Sequence, residues 1–190
     1  MRPLFKLGLV SLLGVLLVFS GIGKGSAAHI TTAHADIAGA AGSGISGHVL
    51  FLQIDDGILP TVKVVVSVTG LAPGSKHGFH IHETGSCADT AVPFGGAGGH
   101  FDPGPFGNST PPDTNHPFHM GDLPNLEANS SGRATFVHTT SRITLTPGPL
   151  SIIDATGSAV IVHALEDLGT TGAPPGAGGA RIACGVVVLD

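Results

Sequence analysis

The sequence has no tryptophan and no tyrosine, only 8 Lys and Arg against 13 Asp and Glu, and two cysteines. Each shortage excludes something. Without a basic excess there is no electrostatic footprint for nucleic acid, and none is expected as a partner. With 11% charged residues, 30 Gly and 14 Pro, packed helices are a poor fit, and the chain reads as short strands joined by many turns. Two cysteines leave none for a cysteine-rich metal-transfer module, and neither stands near the start, where a lipoprotein acceptor would sit.

The one long apolar run is at the beginning. Arg2 and Lys6 precede residues 7–22, which are apolar apart from two serines and the glycines, the pattern of a signal peptide. The expected organisation is a signal peptide over 1–28, a linker over 29–36 and one domain over 37–190. Small residues at Ala27-Ala28 and again at Ala33-His34-Ala35 offer two cleavage sites, the later one at 35. The destination is the periplasm, the cell surface or the medium. A membrane enters only if the leader is retained as an anchor, for which its length is marginal. Removing 1–28 takes away Arg2, Lys6 and Lys24, leaving 5 basic against 13 acidic residues, a charge of about −8 with neutral histidine. In an oxidising compartment Cys87 and Cys184 are expected to form one long-range disulfide; two buried free thiols are the alternative.

Strands are expected over 48–54, 61–68, 78–83, 134–140, 142–145, 159–164 and 181–189. The clearest is 61–68, where Val62, Val64, Val66 and Val68 alternate against Lys63, Val65 and Ser67, the period of a half-buried strand. Residues 84–128 and 165–180, rich in Gly and Pro, read as two long loops. The fold class is all-β: an eight-stranded Greek-key sandwich or flattened barrel with two long functional loops.

Eleven histidines are the chemical signal. His80 and His82 stand two apart in an extended segment, so both leave the same face while Phe79 and Ile81 leave the other. Such a pair clamps a metal from two sides, and imidazole suits copper and zinc. Alone, a His-x-His is more often incidental. His100 lies in a Gly-rich loop, with His116, His119 and Asp122 after it, and three nitrogens with a carboxylate can make a closed zinc site. His163 sits in an apolar strand, where a lone histidine is usually structural.

In sequence order the chain carries His77-Gly-Phe-His-Ile-His-Glu83, Gly99-His-Phe-Asp-Pro103, His119-Met-Gly-Asp-Leu-Pro-Asn125, Val162-His163 and Gly179-Ala-Arg-Ile-Ala-Cys-Gly185. Together, over residues 37–190, these resemble the copper/zinc superoxide dismutase family. The resemblance implies copper at His80, His82, His100 and His163, with His100 bridging to zinc held by His116, His119 and Asp122. It implies a Cys87–Cys184 disulfide, Asp167 as a carboxylate linking the ligands of the two metals, and Arg181 beside the open copper position. His77 matches a structural histidine. Catalysis would fall to Arg181 and His100, with superoxide as substrate in a ping-pong cycle and a homodimer as a possible assembly. One departure stands out: His116 is three residues before His119, where the family places its second zinc histidine about nine before. A copper-only enzyme and a metal-binding relative without turnover are the alternatives.

Overall fold

The computed structural model describes residues 29–55, 59–103, 119–169 and 178–190. Among these residues nine strands form one antiparallel sheet: β1 His29–Gly39, β2 Ser46–Asp55, β3 Thr61–Thr69, β4 Lys76–His82, β5 Asp122–Glu127, β6 Ala134–Thr140, β7 Ala159–His163, β8 Arg181–Val186 and β9 Val188–Leu189. Their spatial order is β5-β4-β7-β8-β1-β2-β3-β6, with β9 beside β1. The outermost strands, β5 and β6, touch, so the sheet nearly closes into an eight-strand barrel. The sequential neighbours β5 and β6 lie at opposite ends of the path, the crossover of a Greek key.

Period-two patterning builds this core. Val62, Val64, Val66 and Val68 of β3 point inward and are buried, as are Val49 and Phe51 of β2 and Ala33, Ala35 and Ile37 of β1. Phe79 of β4 meets Phe136 of β6 edge-on, with ring centroids 6.0 Å apart, which ties the two ends of the sheet across the interior.

Four sequence expectations are corrected. Residues 29–36, read as a linker, belong to β1 and pair with β2 from His29 opposite Asp55 to Ala38 opposite Ser46. Their inward residues are alanines, too small to register as a hydrophobic alternation. Residues 122–127 are not loop but β5; Pro124 is tolerated because β5 pairs on one side only, with β4. Residues 142–145, in contrast, form no strand: Thr144 makes a single bridge to Ser151, and the Leu145 amide donates to Oε1 of buried Gln53 instead of to a ladder. The expected strand over 181–189 is interrupted at Val187, whose amide donates to the Ser158 carbonyl. The proposed signal segment and His116 lie outside the described residues.

Candidate metal centre

β4 is flanked by β5 and β7. All its residues after Lys76 are buried, those on the outer face included. The outer face is covered by the loops that follow β4 and β7. Phe94 and Ala97 of the first loop pack on Ala159, Ile161 and Cys184, and the Cys87–Cys184 disulfide fastens that loop to β8. His80 and His82 therefore share a face, as expected, but one roofed over rather than open to water.

Two groups of ligand-type atoms form under this roof. Those of His80, His82, His100 and His163 lie within 4.8 Å of one another, as do those of His100, His119 and Asp122. His100 belongs to both; imidazole carries nitrogens on two edges and can serve two neighbours at once. Its Nδ1 faces Asp122 Oδ1 at 2.8 Å, which leaves the other nitrogen for the first group. Asp122 also accepts from the His119 amide at 2.9 Å.

The outward nitrogens are held by fixed partners. His82 Nδ1 donates to the Gly98 carbonyl at 3.0 Å and His163 Nδ1 donates to the Gly179 carbonyl at 3.0 Å. His80 Nε2 donates to Asp167 Oδ2 at 2.8 Å. His77, buried behind the site, donates from Nδ1 to the backbone carbonyl of His163, so its role is structural. Among the described residues, the Asp167 side chain meets His80 of the first group, and its other oxygen accepts from the Gly169 amide. Asn125 of β5 holds the Asp167 backbone in place, bonding both its amide and its carbonyl.

With Nδ1 protonated, the inward nitrogens of His82 and His163 are lone pairs, and they face each other at 3.4 Å. Protonation does not relieve this. Burial, followed by the neighbouring His100 for one and His80 for the other, holds His82 down to about 2 and His163 down to about 3, against an ordinary 6.5. Burial also lowers His100, against the pull of Asp122. Burial works to raise the Asp122 carboxyl, but hydrogen bonds from His100 and His119 more than offset it and keep it ionised. Among the described residues, His80 Nδ1 is buried with no hydrogen-bond partner. Converging lone pairs and an orphaned ring nitrogen are costly without a cation and well suited to one. The donors thus fit a borderline transition metal in the first group, and a carboxylate with two imidazoles fits zinc in the second.

Arg181 lies at the start of β8, its guanidinium donating to the carbonyls of Phe94 at 2.8 Å and Gly98 at 2.5 Å. Gly98 thereby serves both His82 and Arg181. Gly178 matters for space: a Cβ there would lie 2.5 Å from that of His163. Apart from His116, every site residue expected from the sequence is present in this constellation. What sequence reasoning missed are the backbone acceptors, Gly98, Gly179 and Phe94, because a carbonyl leaves no residue signature.

Comparison with known proteins agrees with this architecture. The sequence pattern described as copper/zinc superoxide dismutase matches residues 45–187. An extracellular superoxide dismutase [Cu-Zn] of Drosophila melanogaster is 43% identical over 148 residues, 75% of each chain. A SOD-like protein from Bacillus subtilis superposes with a TM-score of 0.62 at 31% identity, covering 82% of this chain and 97% of that one. The clock protein EA4 gives 0.63 at 30%, covering 82% and 92%.

Proposed function

The chain belongs to the copper/zinc superoxide dismutase family, and on that premise we propose that it disproportionates superoxide to oxygen and hydrogen peroxide. Copper is assigned to His80, His82, His100 and His163, and zinc to His100, His119 and Asp122 with His116 as the fourth ligand. The observation that carries this reading is the approach of two unprotonated imidazole nitrogens, His82 and His163, beside the orphaned Nδ1 of His80. When bound, copper supplies one-electron exchange with superoxide in both directions, and zinc supplies the charge that holds His100 in place.

The remaining work is the protein's own. Arg181, held rigid by two carbonyls, draws the small anion to the mouth of the first group and orients it with its fork of N–H donors. Whenever copper does not hold it, the His100 nitrogen facing the first group would take a proton from solvent and give it to the reduced anion as peroxide forms. Asp122 keeps the ring from turning while it does so. Asp167, Gly98 and Gly179 fix the tautomers of His80, His82 and His163, so their lone pairs point inward. Residues 1–28 are assigned as a signal peptide, a reading supported by the disulfide and by the extracellular relative.

The test is superoxide consumption by protein loaded with copper and zinc, run beside metal analysis. About one copper and one zinc per chain with rapid consumption is the expected result, and His116→Ala should lose zinc but keep copper. Full activity without zinc would make this a copper-only enzyme. Full metal content without consumption would make it a metal-binding relative.

A further inference from the structure

The outer face of β1 carries a second pair of histidines that the centre above does not use. Because Ala33, Ala35 and Ile37 point inward, His34 and Asp36 point out. Asp36 lies opposite His48 on β2, and His34 lies opposite Val188 on β9, two residues before Asp190. Four side chains, from β1, β2 and the residue that follows β9, thus meet on one open surface.

Each ring is held by a carboxylate. His34 Nδ1 donates to Asp190 Oδ1 at 2.5 Å and His48 Nδ1 donates to Asp36 Oδ1 at 2.9 Å. A ring that donates from Nδ1 keeps its Nε2 as a lone pair, the carboxylate–histidine arrangement that supports metal ligands. The side chains are 36% and 54% exposed, so those lone pairs are open to solvent. The rings lie 6.0 Å apart and 22° from parallel. The interior pair His82 and His163 lie 5.6 Å apart at 26°, likewise with Nδ1 tied off. The surface pair resembles the interior one in ring separation and tilt, with carboxylates in place of the glycine carbonyls.

We propose that His34 and His48 form a second, exposed site for a divalent transition metal, copper(II) foremost, with Asp190 and Asp36 as supporting carboxylates. Imidazole nitrogen selects this class over calcium or magnesium, and copper(II) heads the divalent affinity order. Two protein ligands leave the other positions to water, so metal there exchanges readily, unlike metal under the loops. His34, Asp36 and Asp190 all lie outside residues 45–187, so the site belongs to this chain rather than to the matched family pattern.

The test starts from exported protein already filled with copper and zinc, titrated with further copper(II) by calorimetry and followed by electron paramagnetic resonance. One additional equivalent is expected, with a spectrum showing imidazole nitrogen and distinct from the interior signal. His34→Gln and His48→Gln should each weaken it about tenfold or more, the scale of losing one ligand or its support. D36N and D190N should weaken it less. His138→Gln, a control on β6, should leave it unchanged. If His34→Gln loosened the β1–β9 contact, His48→Gln on β2 would still report on the ligand alone. An unchanged interior signal verifies the fold and keeps this result separate from superoxide activity. No additional equivalent, or one that persists in the His34→Gln, His48→Gln double variant, would overturn the proposal.

Discussion

At the scale of single residues, function here depends on side chains whose freedom has been removed. Arg181 is the clearest case: its two carbonyl partners leave it one orientation, and the described part of the loop before it, residues 164–169 and 178–180, holds no other basic residue. Arg181→Ala is therefore expected to retain both metals and lose about tenfold or more in superoxide turnover, a barrier change of ~1.4 kcal/mol. Arg181→Lys should fall between, since it keeps charge without the fork. Added salt should slow the parent and affect Arg181→Ala much less, because screening acts over about 8–10 Å. Steady-state rates beside metal analysis check all three. The buried histidines give a pH prediction for the metal-free protein. His82 and His163 have folded-state pKa values below the unfolded 6.5, so below that pH the unfolded chain binds more protons than the native one. Stability should thus be flat above about pH 7 and fall as pH drops below about 6.5, a loss that metal loading should suppress until the ligands are displaced. Denaturant unfolding across pH 4–8 measures it; apo stability rising toward acid would contradict the assignment. His80 and His82 were legible as a same-face pair and His100 as a histidine in a Gly-rich loop, but His163 joined them only through the order of the family motifs, whereas Gly98 and Gly179 contribute only carbonyls.

Among the elements, alternation was legible where the inward residues are large. Strand β3 shows its four valines plainly, while β1 hides behind Ala33 and Ala35, and β5 behind Asp122 and Pro124. The segment 142–145 misled in the opposite direction, since it alternates like a strand but its Leu145 amide is satisfied by Gln53. That β1 is a strand bears on processing. Cleavage after Ala35 would delete most of a strand whose residues pair from His29 onward and whose Ala33 and Ala35 are fully buried. N-terminal sequencing of the exported protein should therefore find His29 or an earlier residue first; a chain starting at Asp36 would contradict this. The disulfide joins residues 97 apart. On the chain-entropy account Cys184→Ser should cost roughly 4–5 kcal/mol. Hydrogen exchange should accelerate first in residues 84–100, whose packing on Ala159 and Ile161 the bond secures. Uniform acceleration across the sheet would instead mean that the bond acts only on the unfolded chain.

For the whole molecule, the chemistry sits outside the barrel rather than in it. The interior is filled mainly by valine, isoleucine and phenylalanine, and the candidate ligands stand on its outer wall beneath two loops. This separation explains why the sequence could carry both messages at once: inward positions spell the fold and outward positions spell the site. It also couples maturation to activity through one atom. The Gly98 carbonyl accepts from both His82 and Arg181, and it lies eleven residues beyond Cys87 on the strap that the disulfide ties down. A chain whose thiols stay reduced is expected to have a looser strap, and with it less firmly held His82 and Arg181 side chains. Folding alone would not switch such a molecule on. On the proposed reading the sulfur bond would act as a timing device, deferring peroxide production until the chain has left the reducing compartment in which it was made.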